Sequence, residues 1–407
     1  MDYQEIFPVP VEWLQDVDRS MASTVAGWAD AEVMAGRLEH KEDYESLLAP
    51  AMRKLLIDIG LQAMLWPDEL GGGGLSTPDA AMTLASVLEQ VGRADTGIGF
   101  LLANTFALQS AFAVEPHRDG ALLEGMAPVV CGDEVVIGSL VLPYYSGESS
   151  AQFFGLPYQA SASSDGEGVG LSAKGARPQC SGANASVFGV ACEVEGNPAL
   201  VLVPSGSKGL SAGKPITKAG LAASLNADIA LDNVRMPAAH VVLTGVERLR
   251  ETLSWYYTFC SAVTAGSLLA VYEILKEWGD TRVIKGKGQV FKENPLVASL
   301  LGEIGMRIGT SRILTYNAAR MVSAPDVYGP AGSPAIAATA VSTFKQVTRM
   351  AMEAMDNTME LMGSAGYATE WNLERYWRDV MTLQSYVSPE TVTQTDMARH
   401  YFDLKKL

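Results

Sequence analysis

The hydrophobic and polar positions of this 407-residue chain fall into three textures. From about residue 11 to 125 apolar residues recur at helical spacing, as in Ala81, Leu84, Leu88 and Val91. Thr77 is placed to cap that helix, with Pro78 at its first position and Asp79 in its first turn. The glycine-rich stretch from Pro67 to Gly74 breaks the pattern before it. From about 130 to 240 short Val- and Leu-rich segments replace the helical period: residues 135–141, 187–194 and 199–203. Glu195-Gly-Asn-Pro198 reads as a hairpin loop between two of them, and the regular turn spacing predicts a small antiparallel barrel or sandwich. Beyond about 246 the chain returns to helix. Val297, Leu300, Ile304 and Ile308 mark one face of a long helix, and a Pro/Gly loop from Pro325 to Pro334 separates it from another over 335–362. The expected domains are 1–128 (all helical), 129–245 (β) and 246–407 (a four-helix bundle).

Composition narrows the function classes. Hydrophobic residues make up 48% and charged residues 19%, an apolar balance that predicts surface buried against another chain. A net charge of -16 excludes nucleic acid as a partner, because phosphate binding needs clustered Lys and Arg. The four cysteines are scattered without metal-ligand spacing and read as reduced thiols of a cytoplasmic protein. None of the four histidines pairs with another at helical spacing, so no metal site is expected. No signal peptide is legible at the N-terminus, and no uninterrupted run of about 18 apolar residues reads as a membrane span. Gly363-x-x-Gly366 and Gly166-x-Gly168-x-Gly170 are not dinucleotide fingerprints, since neither sits between a strand and a helix of a βαβ unit.

Local motifs along the chain point one way. Gly60-Leu-Gln-Ala-Met-Leu-Trp66-Pro67-Asp-Glu-Leu-Gly-Gly-Gly74, Leu88-Glu-Gln-Val-Gly-Arg-Ala-Asp95 and Leu231-Asp-Asn-Val-Arg-Met-Pro237 occur in order. They are followed by Leu361-Met-Gly-Ser-Ala-Gly-Tyr367, Glu374-Arg375, Arg378-Asp379 and Tyr386-Val387-Ser388-Pro389. In order and spacing they resemble the acyl-CoA dehydrogenase family, and the helix, β, helix order is that family's layout. The resemblance implies an acyl-CoA dehydrogenase-like fold, FAD as cofactor, an acyl-CoA substrate and an electron acceptor such as electron-transfer flavoprotein. It also implies an oligomer, of this chain with itself or with a homologous subunit.

The implied chemistry removes an α-proton from the thioester while flavin takes the β-hydride. That requires a carboxylate in a dry pocket, where desolvation raises its pKa. An ungapped register from Tyr386 to Ala398-Arg399 puts Val387 at the position of the family's usual catalytic Glu. At the position of its alternative Glu the chain has Phe259, with Cys260 beside it. Glu390 and Glu251 are the remaining weak candidates for a base, each read as a solvated carboxylate. Contacts to the flavin are eroded too. The family's Thr-Glu-Pro loop reads Val141-Leu142-Pro143-Tyr144-Tyr145-Ser146-Gly147-Glu148, and its Gly-x-Lys-x-Trp-Ile-Ser/Thr strand reads Gly175-Ala-Arg-Pro-Gln179-Cys180-Ser181. Only Gly175 and Ser181 survive in that strand, Ser181 as a candidate cofactor ligand.

Contacts that the family supplies to a neighbouring subunit's flavin are better kept. Arg282 and Gly286 remain of an Arg-x-x-Phe-Gly loop, with Lys285 in place of Phe; Arg282 suits a pyrophosphate. Gly363, Gly366 and Tyr367 remain of a Gln-x-x-Gly-Gly-x-Gly-Tyr element, with Ser364 for the second Gly and Glu360 for the Gln. A carboxylate about 5 Å from a phosphate would cost about 3 kcal/mol at an effective dielectric of ~20, so Glu360 points away, pairs with a cation, or marks a weakened site. Glu374, Arg375, Arg378 and Asp379 read as ion pairs at a helix start. The leading expectation is an accessory chain of a heterotetrameric acyl-CoA dehydrogenase. The alternatives are a self-sufficient flavoenzyme with a displaced base or altered chemistry, and a non-enzymatic scaffold.

Overall fold

The computed structural model describes residues 2–36, 44–144, 149, 151–284, 286, 288–387 and 390–404, with the side chains of 390–393 and 396 outside that description. The N-terminal part is helical: α1 (Asp16–Trp28), α2 (Ala80–Ala94), α3 (Thr96–Ala113) and α4 (Gly120–Val130). Thr77-Pro78-Asp79 form a tight turn whose carbonyls bond the N–H groups of Ala80, Ala81 and Met82, so regular helix begins three residues after the expected cap. Asp95 makes the corner between α2 and α3. Its extended backbone ends the first helix, and its carboxylate accepts from the Ile98 N–H at 2.8 Å to start the second. Every residue of α3 is buried, as its apolar composition on all faces requires.

The β region holds two sheets that face each other. One has the order β1 (Gly138–Val141), β6 (Val187–Val194), β7 (Asn197–Pro204), β10 (Val241–Thr244). The other runs β4 (Ser161–Ser164), β5 (Gly168–Ala176), β9 (Ile229–Pro237), β8 (Leu210–Ala212). A separate hairpin joins β2 (Gln152–Phe153) and β3 (Leu156–Pro157). Val141, Phe188, Val190, Val201 and Val203 meet Val169, Leu171, Leu231 and Val234 between the sheets. The expected antiparallel architecture needs one correction: β1 and β6 pair in parallel. Turn spacing fixes the direction of sequence neighbours only, and β6 is reached from β1 by a crossover through β2–β5. The loop read over 195–198 is shorter than expected. Glu195 and Gly196, both with positive φ, make a two-residue turn, while Asn197 and Pro198 already pair with β6.

The C-terminal part comprises α5 (Val246–Thr281), α6 (Pro295–Ser323), α7 (Pro334–Met362), α8 (Leu373–Val387) and α9 (Glu390–Phe402). By length and mean composition alone α5 could cross a membrane, although no uninterrupted apolar run spans it. However, 83% of its apolar window is buried inside the protein, as befits the central helix of a bundle. It crosses α2 at backbone contact: a Cβ on Gly266 would overlap the Glu89 carbonyl, and one on Gly92 the Val263 carbonyl. On α6, Ile304 and Ile308 are buried as expected, but Leu300 is 37% exposed because the first turns of the helix project past the bundle.

Buried ion pairs join the parts. Arg312 on α6 holds Glu89 on α2 at 2.7 Å, and Tyr316 donates to the same carboxylate at 3.0 Å. Arg375 on α8 lies between Asp95 (3.3 Å) and Asp379 (3.4 Å). The charged run at the start of α8 thus pairs one helical turn apart, Arg375 with Asp379 and Arg378 with Glu374.

Candidate functional site

A cavity of about 320 Å³ opens where the β region meets the N-terminal turns of α5 and α7 and the C-terminal turn of α8. Leu142, Pro143 and Tyr144 line it from the end of β1, Gln179 from the segment after β5, and Val387 from α8. Leu253, Ser254 and Tyr257 face it from α5, and Ala337, Ala338 and Val341 from α7. The three segments read as an altered flavin pocket, far apart in sequence, therefore converge on one cavity. Val141 itself points into the sheet core, so its successors make the wall. Residues 145–148 lie outside the described residues.

The wall is mostly apolar, with Gln179, Arg250, Arg399 and His400 as its main polar groups, and among the described lining residues there is no Asp or Glu. Val387 is 7% exposed and packs into the large core. Phe259 is fully buried and lies edge-on to Trp255 and Phe106, away from the cavity. Neighbouring Cys260 is buried as well, and burial pushes its thiol well above the ordinary range. The reading of Glu251 as a solvated carboxylate is corrected. It faces the N-terminal part, 3.2 Å from His117 Nε2 and 3.4 Å from Arg248 Nε, and burial raises its pKa. It sits one position after the cavity-lining Arg250, and a helical step of about 100° turns it away from the cavity. The side chain of Glu390 and residues Ser388 and Pro389 lie outside the described residues.

Three backbone donors of the described β segments that could meet the polar rim of an isoalloxazine ring are already engaged. The Tyr144 N–H donates to Pro157 O (3.0 Å) and the Gln179 N–H to Leu140 O (2.8 Å). The Arg177 N–H donates to Gln159 Oε1 (2.8 Å). Gln179 is itself fixed, accepting from Tyr256 OH at 3.0 Å. Burial raises that phenol well above its ordinary value, so it stays a neutral donor. Ser181, expected to contact the cofactor, is not brought to the cavity wall. It is fully buried, does not line the cavity, and its N–H donates to Ser224 Oγ at 3.1 Å. The neighbouring Cys180 thiol is pushed up to about 12 by burial.

The second group of candidates lies at the other end of the bundle. Helix α5 runs from Ser254 at the cavity to Thr281, about 40 Å at 1.5 Å per residue, and Arg282 caps it. Helix α7 runs from Ala338 at the cavity to Met362, about 36 Å, before the turn Gly363–Ala365. The two termini are neighbours, since Trp278 of α5 and Trp371 of the following loop stack edge-on at 5.2 Å. Arg282 is exposed, with its guanidinium over the Trp278 ring at 5.2 Å. Gly286 and Gly363 hold positive φ (82° and 59°), conformations in which a side chain is strained. Gly363 and Ser364 are exposed and Tyr367 is 66% exposed, while Gly366 is buried against Met359. Glu360 is exposed on the last turn of α7. Lys285 lies outside the described residues. Arg282 and the Gly363–Tyr367 element thus form one exposed face, too far from the chain's own cavity to act on it.

The sequence reading missed the hairpin β2–β3 and the start of α5 as cavity walls. Phe153, Phe154 and Leu156 line it, as does Arg250, whose guanidinium sits 4.7 Å over the Phe154 ring. Arg399 of α9 also lines it and donates to Phe154 O at 2.9 Å. The Phe-Phe-Gly-Leu run carried a two-residue-turn signal, but nothing in it indicated a neighbour.

The profile described as the acyl-CoA dehydrogenase C-terminal domain matches residues 244–402, and that described as the N-terminal domain matches residues 15–114. A cyclohex-1-ene-1-carbonyl-CoA dehydrogenase from Geobacter metallireducens is 26% identical, covering 86% of this chain and 90% of its own length. The butyryl-CoA dehydrogenase structure from Megasphaera elsdenii superposes with a TM-score of 0.76 at 20% identity, over 95% of this chain and 98% of that one. The glutaryl-CoA dehydrogenase structure from Mycobacterium smegmatis in complex with FADH2 does so with a TM-score of 0.77 at 17% identity, over 97% of each chain. With both flanking domains matched and the same layered architecture, the chain belongs to the acyl-CoA dehydrogenase family.

Proposed function

We propose that this chain is the accessory subunit of a hetero-oligomeric, FAD-dependent acyl-CoA dehydrogenase. It contributes outer cofactor contacts to a homologous subunit and performs no dehydrogenation in its own cavity. The observation that carries this reading is the separation of the two candidate sites. At the cavity the described walls hold no carboxylate, and the nearby backbone donors bond within the chain. About 40 Å away, Arg282 and the glycine turn at 363 present a cation and an approachable backbone to solvent. In the assembled enzyme Arg282 would pair with a phosphate of the partner's cofactor, and Gly363 and Gly366 would let the backbone close on it. The partner would supply the base, and the chemistry of hydride acceptance would belong to the flavin. The domains 1–128, 129–245 and 246–407, a cytoplasmic location and an electron acceptor such as electron-transfer flavoprotein belong to the same proposal.

The test is purification of the chain from its host under native conditions with a visible absorbance spectrum. The expected result is a complex with a homologous chain, flavin at no more than one per pair, and a colourless, inactive chain when produced alone. An active, fully flavin-loaded homo-oligomer refutes the proposal. It would favour the self-sufficient reading, with Glu390 as the base to examine.

A further inference from the structure

The cavity that lacks a base does not lack a charge. Arg250 projects from the second turn of α5 into its wall and is only part-exposed. Among the described residues its guanidinium has no hydrogen-bond or ion-pair partner. The face of the Phe154 ring lies 4.7 Å from it. Burial pushes its pKa below the ordinary range, and the charge of Glu247 offsets that only in part. An unpaired, partly desolvated guanidinium is costly to keep, and a buried cation is ordinarily paired. Arg399 differs, because it is engaged with the Phe154 carbonyl.

The rest of the wall is built for an apolar body. Phe153, Phe154, Leu253, Tyr257, Val341 and Val387 enclose a volume at the small end of the range for ligand pockets. Phe154 is held at a φ of 49°, in the left-handed region that a bulky side chain rarely adopts. Strain of that kind persists where the surroundings over-determine it, and here Arg250 and Arg399 grip the ring and the carbonyl of the same residue.

We propose that this cavity is a binding site for an apolar monocarboxylate, with Arg250 as the anchor for its carboxylate and Phe154 as a fixed wall against its body. The Arg250 guanidinium, unpaired among the described residues, matches one carboxylate through two parallel hydrogen bonds. A CoA thioester offers only a neutral carbonyl at the equivalent point of its chain. The site is therefore selective for the free acid, and it exists whether or not the chain acts as an accessory subunit.

The test uses the full-length chain, together with any subunit that purifies with it, and calorimetric titration with decanoate, decanol and decanoyl-CoA. Decanoate is expected to bind, with decanol at least tenfold weaker and decanoyl-CoA no tighter than decanol. Arg250→Gln should weaken decanoate at least tenfold and leave decanol unchanged, and Arg250→Lys should fall between, since it keeps the charge without the fork. Val341→Trp, which fills the cavity from α7, should abolish binding of both while thermal unfolding shows the fold intact. Equal binding of decanoate and decanol, indifference to Arg250→Gln, binding of decanoyl-CoA tighter than decanoate, or no binding at all would each overturn the proposal. None of these outcomes depends on whether a partner chain or a flavin is found.

Discussion

Replacing Arg282 by Ala isolates the outer cofactor contact from every structural role. The side chain is exposed beyond the end of α5, and among the described residues its guanidinium has no hydrogen-bond or ion-pair partner, only the face of the Trp278 ring at 5.2 Å. A cation–π contact at such a site contributes about 0.5–1 kcal/mol, so the stability of the folded chain should change by no more than that. Against a phosphate the same group would make charge-assisted hydrogen bonds worth about 1.5–3 kcal/mol. At 1.4 kcal/mol per factor of ten, flavin affinity of the assembled enzyme should fall about 10- to 100-fold. The assay is dialysis of the purified complex against flavin-free buffer, followed by titration with FAD and visible absorbance. Urea unfolding and sedimentation of the same sample report the fold and the assembly. Arg282→Lys should lose less, since it keeps the charge but not the fork. An assembled complex of Arg282→Ala with unchanged flavin affinity would refute the idea that this face reaches a partner's cofactor.

Four further outcomes follow from the geometry. Asp95→Ala removes the cap of α3 and one partner of the buried Arg375, leaving Asp379, and should destabilise the chain by about 3 kcal/mol in urea unfolding; Asp95→Asn keeps the cap and isolates the charge contribution. Gly266→Ala drives a methyl into the Glu89 carbonyl between two helices that cannot separate, and should cost about 3 kcal/mol or prevent folding, read by thermal unfolding. Val387→Glu should not give the isolated chain dehydrogenase activity, because the backbone donors near the cavity remain internally bonded; turnover of an acyl-CoA by that variant would show that a base alone was missing. Glu251→Gln should leave turnover of the assembled enzyme unchanged, because the carboxylate faces His117 and Arg248 rather than the cavity.

The order of helix, β and helix was legible because hydrophobic period reports burial on one face, and both sheets and bundle bury one face of most elements. Pairing direction was not legible. The parallel match of Gly138–Val141 with Val187–Val190 depends on a crossover, and no local signal encodes it. At the site, Val387, Gln179 and the Leu142–Tyr144 wall could be assembled only through motifs of known spacing, and they do meet in one cavity. The side-chain directions of Ser181 and Glu251 were not legible, because a sequence gives a position along the strand or helix and not the direction of the side chain. Ser181 sits at a left-handed backbone position (φ 47°) that turns it into the core, and Glu251 lies one helical step round from Arg250. Arg250 and the Phe153–Phe154 hairpin went unnoticed because their significance is tertiary: an arginine in a helix and a Phe pair in a turn are ordinary until they face each other.

The two ends of the bundle are also energetically separate. Leu383, Val387 and Phe259 pack in one hydrophobic cluster, whereas Met359, Met362 and Leu373, with Trp278 and Trp371, pack in another. Substitutions in clusters that share no partners add independently, so a change at the cavity need not disturb the face that carries Arg282 and Gly363. In a homo-oligomer with split cofactor contacts, each chain must keep both ends, since each serves once as owner and once as neighbour. In a hetero-oligomer one chain is released from ownership only. The residues then drift at 142–144, 179 and 387 while the distant end keeps one positive-φ glycine in each of two loops, Gly286 and Gly363, and an exposed arginine. A scaffold freed of both duties would have no need to keep Arg282 in solvent beside that turn; Gly363 alone does not decide between the readings, since a positive φ at a helix end favours glycine in any protein.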